Sequence, residues 1–256
     1  MNQLAVKDLC KTYIVNKRPN NVLRNISLNV ETGEMVAIMG PSGSGKSTLL
    51  YTVSGMDRAT AGKVLFSGRE IDALSAKEMS RLRLTRMGFI FQQMYLLKNL
   101  TIYDNIILPA YQAGAGQAKR SRDEINEYAK DLMRKLGIIE IAKNDITEVS
   151  GGQLQRACIC RSMINRPQMI FADEPTGALN QQSSREVMRE LNKINKEGTT
   201  IMLVTHDSKV AAKSDRVLYI EDGCIKGEMA LGKFNEETEL RERERKLSGW
   251  LLEMGW

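Results

Sequence analysis

No apolar stretch in this chain reaches the length of about 18 residues that crossing a bilayer requires, and no signal peptide opens it. A cytosolic protein is the expectation. Histidine occurs once, at His206, and cysteine four times, at Cys10, Cys158, Cys160 and Cys224. The cysteines have no metal-ligand spacing, and Cys158 and Cys160 share no helical face well enough for a metal. Free thiols in a reducing compartment are expected instead. No internal repeat is present. The net charge of +6 suits a phosphate ligand and a place near anionic lipid, but it is too modest to argue for nucleic acid.

What the chain has is alternation. Strand-like and helix-like runs succeed one another through much of its 256 residues, enough to bury a substantial core, which predicts an α/β fold with a mostly parallel central sheet. The apolar run Met35 to Met39 leads into Gly40-Pro41-Ser42-Gly43-Ser44-Gly45-Lys46-Ser47-Thr48, and a helical run from Ser47 to Val53 follows, with Gly55 placed to end it. Strand, glycine-rich loop and helix in this order form a phosphate-binding loop. Glycines let successive N–H groups turn inward around a phosphate, and the helix start adds its positive end. Lys46 is placed to reach the β- and γ-phosphates, and the Ser47 hydroxyl to ligate Mg²⁺. The expected ligand is a nucleoside triphosphate.

Further along, Met169 to Ala172 predicts a buried strand that carries Asp173 at its tip to the magnesium site, with Glu174 beside it as general base for an attacking water. His206 follows the strand-like run Ile201 to Val204 and again stands at a strand tip. Ser150-Gly151-Gly152-Gln153 precedes a helical run from Gln153 to Ile164. Read alone, it is either a second anion site on a helix start or an ordinary capping turn.

Taken in order, from about Leu4 to Gly227, these motifs resemble the nucleotide-binding subunits of ATP-binding-cassette (ABC) transporters. The resemblance implies a RecA-like phosphate-loop ATPase core with an N-terminal antiparallel β part and an inserted helical subdomain. Its ligands would be ATP and Mg²⁺. It also implies a dimer, most simply a homodimer, in which Ser150, Gly151, Gly152 and Gln153 of one subunit close on the γ-phosphate held by the other. By the same resemblance Tyr13 stacks on adenine, Gln92 touches Mg²⁺ or the lytic water, and His206 contacts the γ-phosphate and steadies Glu174. A separate membrane-spanning permease would hold the chain on the inner face of the cell membrane, and no nucleic acid is involved. Gly88-Phe89-Ile90-Phe91-Gln92 and Ala172 to Leu179 look closest to the group serving lipoprotein release, macrolide export and antimicrobial-peptide resistance. A soluble ATP-dependent switch or assembly factor built on the same dimer is the other reading. One departure stands out: after Leu179 the family usually has Asp, and this chain has Asn180.

Domain limits follow from pattern. Residues 1–230 read as the nucleotide-binding domain, with a helical subdomain at about 96–165 and a flexible loop at Ala113 to Gln117 within it. Within it Ser121 to Glu124 is a capping box, and Ile125, Tyr128, Ala129, Leu132, Met133 and Leu136 form an apolar stripe that ends at Gly137. Residues 231–256 read as a helical extension. Leu247, Trp250, Leu251 and Met254 recur at helical spacing after a mixed-charge run, and they serve either to pack the extension back on its own domain or to dock a partner.

Overall fold

The computed structural model describes residues 1–114, 120–235 and 237–256. Strands β1 (Asn2–Val15) and β2 (Arg18–Glu31) pair antiparallel. The turn residues between them, Asn16 and Lys17, both have positive φ, as the tight hairpin turn demands. The phosphate-loop strand β3 (Met35–Met39) then leads to helix α1 (Lys46–Val53). Strands β4 (Ala61–Phe66) and β5 (Arg69–Glu70) complete a four-stranded antiparallel sheet in the order β2-β1-β4-β5.

Next come helix α2 (Ala76–Arg86), strand β6 (Met87–Ile90), and helices α3 (Ile102–Gly114), α4 (Arg122–Lys135) and α5 (Gly151–Met163). Strand β7 (Met169–Asp173), helix α6 (Gln181–Lys196), strand β8 (Thr200–Val204) and the single-turn helix α7 (Ser208–Ala211) follow. Strands β9 (Arg216–Glu221) and β10 (Cys224–Ala230) and helix α8 (Leu240–Glu253) close the chain. The second sheet runs β10-β9-β3-β8-β7-β6, parallel from β9 to β6, with β10 antiparallel on its edge. Every residue of β3, β7 and β8 is buried, because both faces of this sheet are covered. On one face the antiparallel sheet and α1 enclose Leu4, Ile26, Val36, Leu50 and Phe171. On the other, α3 to α6 and α8 enclose Ala37, Ile106, Ile159, Leu203 and Leu247.

Two sequence expectations need amendment, and one helix went unread. Ala113 and Gly114 are not loop but the last turn of α3, and Ala115 to Gln117 lie outside the described residues. The signature helix begins at Gly151, two residues earlier than expected, since Ser150 rather than the glycines caps it. Helix α2 was not anticipated, although Ser75 and Glu78 form the same reciprocal capping box as Ser121 and Glu124.

The C-terminal stripe packs back on its own domain. Leu247 and Leu251 are buried, and Met254 and Trp250 close over Gly227, where an added Cβ would meet them at 3.0 and 3.1 Å. No helix among the described residues is long and apolar enough to cross a membrane.

Candidate nucleotide site

Parallel strands put their carboxyl ends on one edge of a sheet, where ligands of open α/β folds bind. Here β3, β8, β7 and β6 are consecutive neighbours, in a register that pairs Ile38 with Val204, Val204 with Asp173 and Ala172 with Ile90. The residues just past these four tips are the phosphate loop, His206, Glu174 and Gln92. Segments more than a hundred residues apart in sequence therefore meet along one line.

The loop itself leaves room for an anion. Gly40 holds a φ of +148°, and a Cβ there would lie 1.9 Å from the Ile220 carbonyl oxygen, so no side chain fits. At the start of α1, Gly45 offers no capping side chain, and the first N–H groups of the helix have no intrahelical acceptor. The Ser44 hydroxyl is buried with no hydrogen-bond partner. The Lys46 ammonium donates to the carbonyls of Gly40 at 2.8 Å and Pro41 at 2.7 Å, which ties it across the loop. Burial pulls its pKa below the usual lysine range, against the opposing pull of Glu174 and then Asp173. Inward N–H groups, an orphaned hydroxyl and a desolvated ammonium fit a polyphosphate.

A hard cation also finds oxygen donors. Asp173 is buried at the tip of β7 and accepts from the Ser47 hydroxyl at 2.9 Å and the Tyr51 hydroxyl at 2.6 Å. Burial, and then the hydrogen bond to Asp173, push the Tyr51 phenol far above its ordinary range, so it stays a donor. Ser47, Asp173 and the Gln92 amide oxygen are the kind of donor set magnesium takes. Glu174 holds its backbone in the left-handed region at φ +45°, with its N–H donating to the Val204 carbonyl at 3.1 Å. That conformation is uncommon for a non-glycine residue and clusters at working sites. Glu174 Oε2 lies 3.2 Å from His206 Nδ1. A Cβ built on Gly177 would lie 2.9 Å from Glu174 Oε2 and 3.1 Å from Gln92 Nε2, so both side chains converge on that glycine.

Tyr13 is 37% exposed. Its hydroxyl donates to Asp57 at 2.5 Å, and Lys11 Nζ stands 4.5 Å from its ring centroid. Ser150 and Gln153 are occupied with each other: the Ser150 hydroxyl accepts from the Gln153 N–H at 3.3 Å and Gln153 Oε1 from the Ser150 N–H at 2.9 Å. Their helix, α5, packs with α3, α4 and β6 and adds nothing to the cluster at the strand tips.

Two contributors escaped the sequence reading. Tyr51 follows Ser47 by one helical turn, a spacing that puts both on one face of α1 and signals the shared carboxylate. Asp57 carries no comparable signal, because its partners Lys11 and Tyr13 come from β1.

A family model described as ABC transporter matches residues 23–177. The chain belongs to the ABC transporter family. It is an ATP-binding-cassette ATPase. It is 42% identical over 225 residues to the macrolide export ATP-binding/permease protein MacB of Mannheimia succiniciproducens, covering 88% of this chain and 34% of that protein. For MacB of Shigella flexneri the figures are 40% over 248 residues, 96% and 38%. The cassette thus spans about a third of the length of these relatives. A dimeric cassette in a post-hydrolysis state bound to ADP and Pi superposes with a TM-score of 0.83 at 35% identity, over 90% of this chain and all of that one. The cassette cbiO1 of Clostridium perfringens, part of the transporter complex cbiONQ, gives 0.80 at 27%, over 99% and 97%.

Asn180 caps α6, its side chain accepting from the Ser183 N–H at 2.9 Å. Aspartate performs the same capping and suits a helix start better. Asn180→Asp is therefore expected to keep stability and to leave nucleotide affinity within about twofold, while altering turnover or cooperativity. Titration with labelled ATP and steady-state kinetics check this; a large affinity loss contradicts it.

Proposed function

We propose that this cassette is the motor subunit of a membrane transporter: two copies close on ATP, and hydrolysis reopens them to drive a separate membrane-spanning permease. The observation that supports this best is the convergence of Ser47, Asp173, Glu174, Gln92 and His206 at neighbouring strand tips beside an anion-ready loop. Lys46 leaves the carbonyls of Gly40 and Pro41 for the β- and γ-phosphate oxygens, and Tyr13 supports the base. Magnesium, when bound, neutralises charge developing on the phosphates, and Ser47, Asp173 and Gln92 would hold it. Glu174 accepts the proton of the attacking water. His206, with Nδ1 toward Glu174, orients that carboxylate and leaves Nε2 for the γ-phosphate.

Ser150, Gly151, Gly152 and Gln153 complete the site of the partner copy. The start of α5 is exposed at Ser150 and Gly151, free to meet a second copy. Residues 1–230 form the motor, with its helical part at about 96 to 165, and 231–256 the extension.

The permease seat is the cleft beside Gln92. An aromatic ladder runs from buried Phe171 through Phe89 and Phe91 to Tyr95, with neighbouring centroids 5.7, 6.1 and 5.3 Å apart. Tyr95 ends it 65% exposed, and Leu97 is exposed nearby. Such a ladder carries motion from a docked helix to Gln92. The likeness to macrolide-export proteins favours outward transport, or mechanical transmission to an extracytoplasmic domain, and location on the inner membrane face through the permease.

Capture tests this. The Glu174→Gln chain, tagged and expressed in its native cell, is expected to bring down a multi-span membrane protein from mild detergent. Recovery of soluble partners alone would move the function to an ATP-dependent switch.

A further inference from the structure

Three cavities adjoin along α2 and α3. The first, about 430 Å³, holds the aromatic end with Met56, Phe89, Phe91 and Tyr95. The second, about 350 Å³, shares Ser80, Leu84 and Gln112 with the first and Arg81, Thr85 and Ala113 with the third. The third, about 700 Å³, is lined among the described residues by Arg69, Arg81, Arg86, Arg120 and Arg166 and by one carboxylate, Glu78. Together they make one trench, aromatic at one end, where Arg83 and Arg161 are spent on the carbonyls of Gly55, Tyr95 and Met94, and strongly cationic at the other.

Arg69 and Arg81 are engaged, and no salt bridge joins Arg86, Arg120 or Arg166 to a carboxylate among the described residues. Glu78 is committed to Arg69 at 2.9 Å and to the cap of α2. Arg86 has no acidic partner among the described residues. The Arg120 guanidinium donates to neutral acceptors, the Ile164 carbonyl at 2.9 Å and Asn165 Oδ1 at 2.8 Å. Arg166 stands at positive φ with its guanidinium 4.5 Å from the Tyr128 ring, and Arg120 lies 5.9 Å from the same ring. Burial, and then the like charge of Arg166, pull the Arg120 pKa below the usual range, against smaller opposing pulls from Tyr128 and Glu124. Like charges held this close cost free energy that an anion in the cavity would return. Guanidinium groups bind carboxylates in forked pairs.

We propose that the arginine end of the trench receives an acidic segment of the permease, continuous with the apolar helix seated at the aromatic end. This rests on the transporter reading above. Continuity of the walls selects one occupant for both ends, with carboxylates of the partner set against Arg86, Arg120 and Arg166. The aromatic end supplies affinity, and the charged end fixes the direction in which the partner's helix lies.

Capture of the permease by the tagged Glu174→Gln chain is compared with capture by the same chain carrying Arg86→Glu and Arg166→Glu. Recovery is expected to fall about tenfold with charge reversal. It should fall less with the paired glutamine changes, which guard against a misfolded reversal variant, and least with paired lysine changes, which keep the charge but not the fork. Melting temperature should stay at the parental level, and so should basal ATP hydrolysis when the reversed pair is placed in the chain that keeps Glu174, since neither arginine touches the nucleotide site. Undiminished recovery with the reversed pair overturns the acidic-segment proposal and leaves the transporter reading standing. Failure of the parent Glu174→Gln chain to recover any membrane-spanning protein removes both. The isolated chain is also mixed with vesicles of phosphatidylcholine and phosphatidylglycerol. Vesicle binding that charge reversal abolishes, with permease recovery unchanged, assigns the arginines to lipid headgroups and overturns the proposal.

Discussion

Replacing Glu174 by Gln lowers the ATP turnover of this cassette by about two to four orders of magnitude, the range attributable to one general base, and leaves nucleotide affinity close to the parental value. The expectation follows from geometry. The carboxylate sits past the tip of β7, 3.2 Å from His206 Nδ1, on a backbone held at φ +45°. The amide is isosteric and keeps a hydrogen-bonding oxygen, but it takes no proton from water. Lys46, Ser47 and Asp173, which hold phosphate and cation, are unchanged. A nucleotide-loaded dimer should therefore accumulate, visible as a doubling of mass in size-exclusion chromatography with ATP and absent with ADP. Parental turnover in this variant would remove Glu174 from the base role. Loss of ATP binding would show instead that the left-handed backbone at this position shapes the loop.

The second large effect is expected at Arg243. This side chain lies in what the sequence presents as a solvated run of mixed charge, yet it is buried. Its guanidinium donates to the carbonyls of Ala212 at 2.8 Å, Ser214 at 2.7 Å, Leu231 at 2.9 Å and Gly232 at 3.0 Å. One face lies against Phe234, 5.5 Å from the ring centroid. Burial lowers its pKa, and Glu239 and Asp215 work against that fall. Arg243→Met keeps the alkyl stem and orphans several buried acceptors, each costing about 1–3 kcal/mol when water cannot reach it. A total near 3 kcal/mol corresponds to a fall in Tm of about 6–12 °C for a chain of this size. The clamp also grips the end of α7, which starts two residues after His206, so turnover should fall with stability. A variant that melts at the parental temperature would show that α8 adds no support to that segment.

The strand-tip residues were legible because each follows an apolar run short enough for a buried strand and ends in a polar group. Asp173, Glu174, His206 and Gln92 all carry that mark, and the glycines before Lys46 carry a stronger one. Of three helix starts with a serine three residues before an acid or amide, the one at Ser121 was legible, while Ser75 went unread and the helix after Ser150 was placed two residues late because Gly151 and Gly152 disguise its first turn. What stayed hidden depends on distant pairing. Asp57 holds Tyr13 only because β1 passes beside the turn after α1. Arg243 reads as surface because its acceptors are backbone carbonyls, which every sequence has everywhere. The arginine cavity draws its walls from positions 69 to 166, and no window of sequence contains them together. Cys158 and Cys160 are buried, and burial pushes the Cys158 thiol up to about 11.

Tyr219 is buried in β9 and pairs in register with Met39, the residue that precedes the phosphate loop. The two tryptophans of the chain, Trp250 and Trp256, both meet its ring edge-on, at 6.4 and 6.2 Å between centroids. All of the indole emission of the unlabelled protein therefore originates within van der Waals reach of one phenol, one strand away from the nucleotide loop. Its wavelength and lifetime give an optical record of whether the last helix is seated, readable during turnover without a dye.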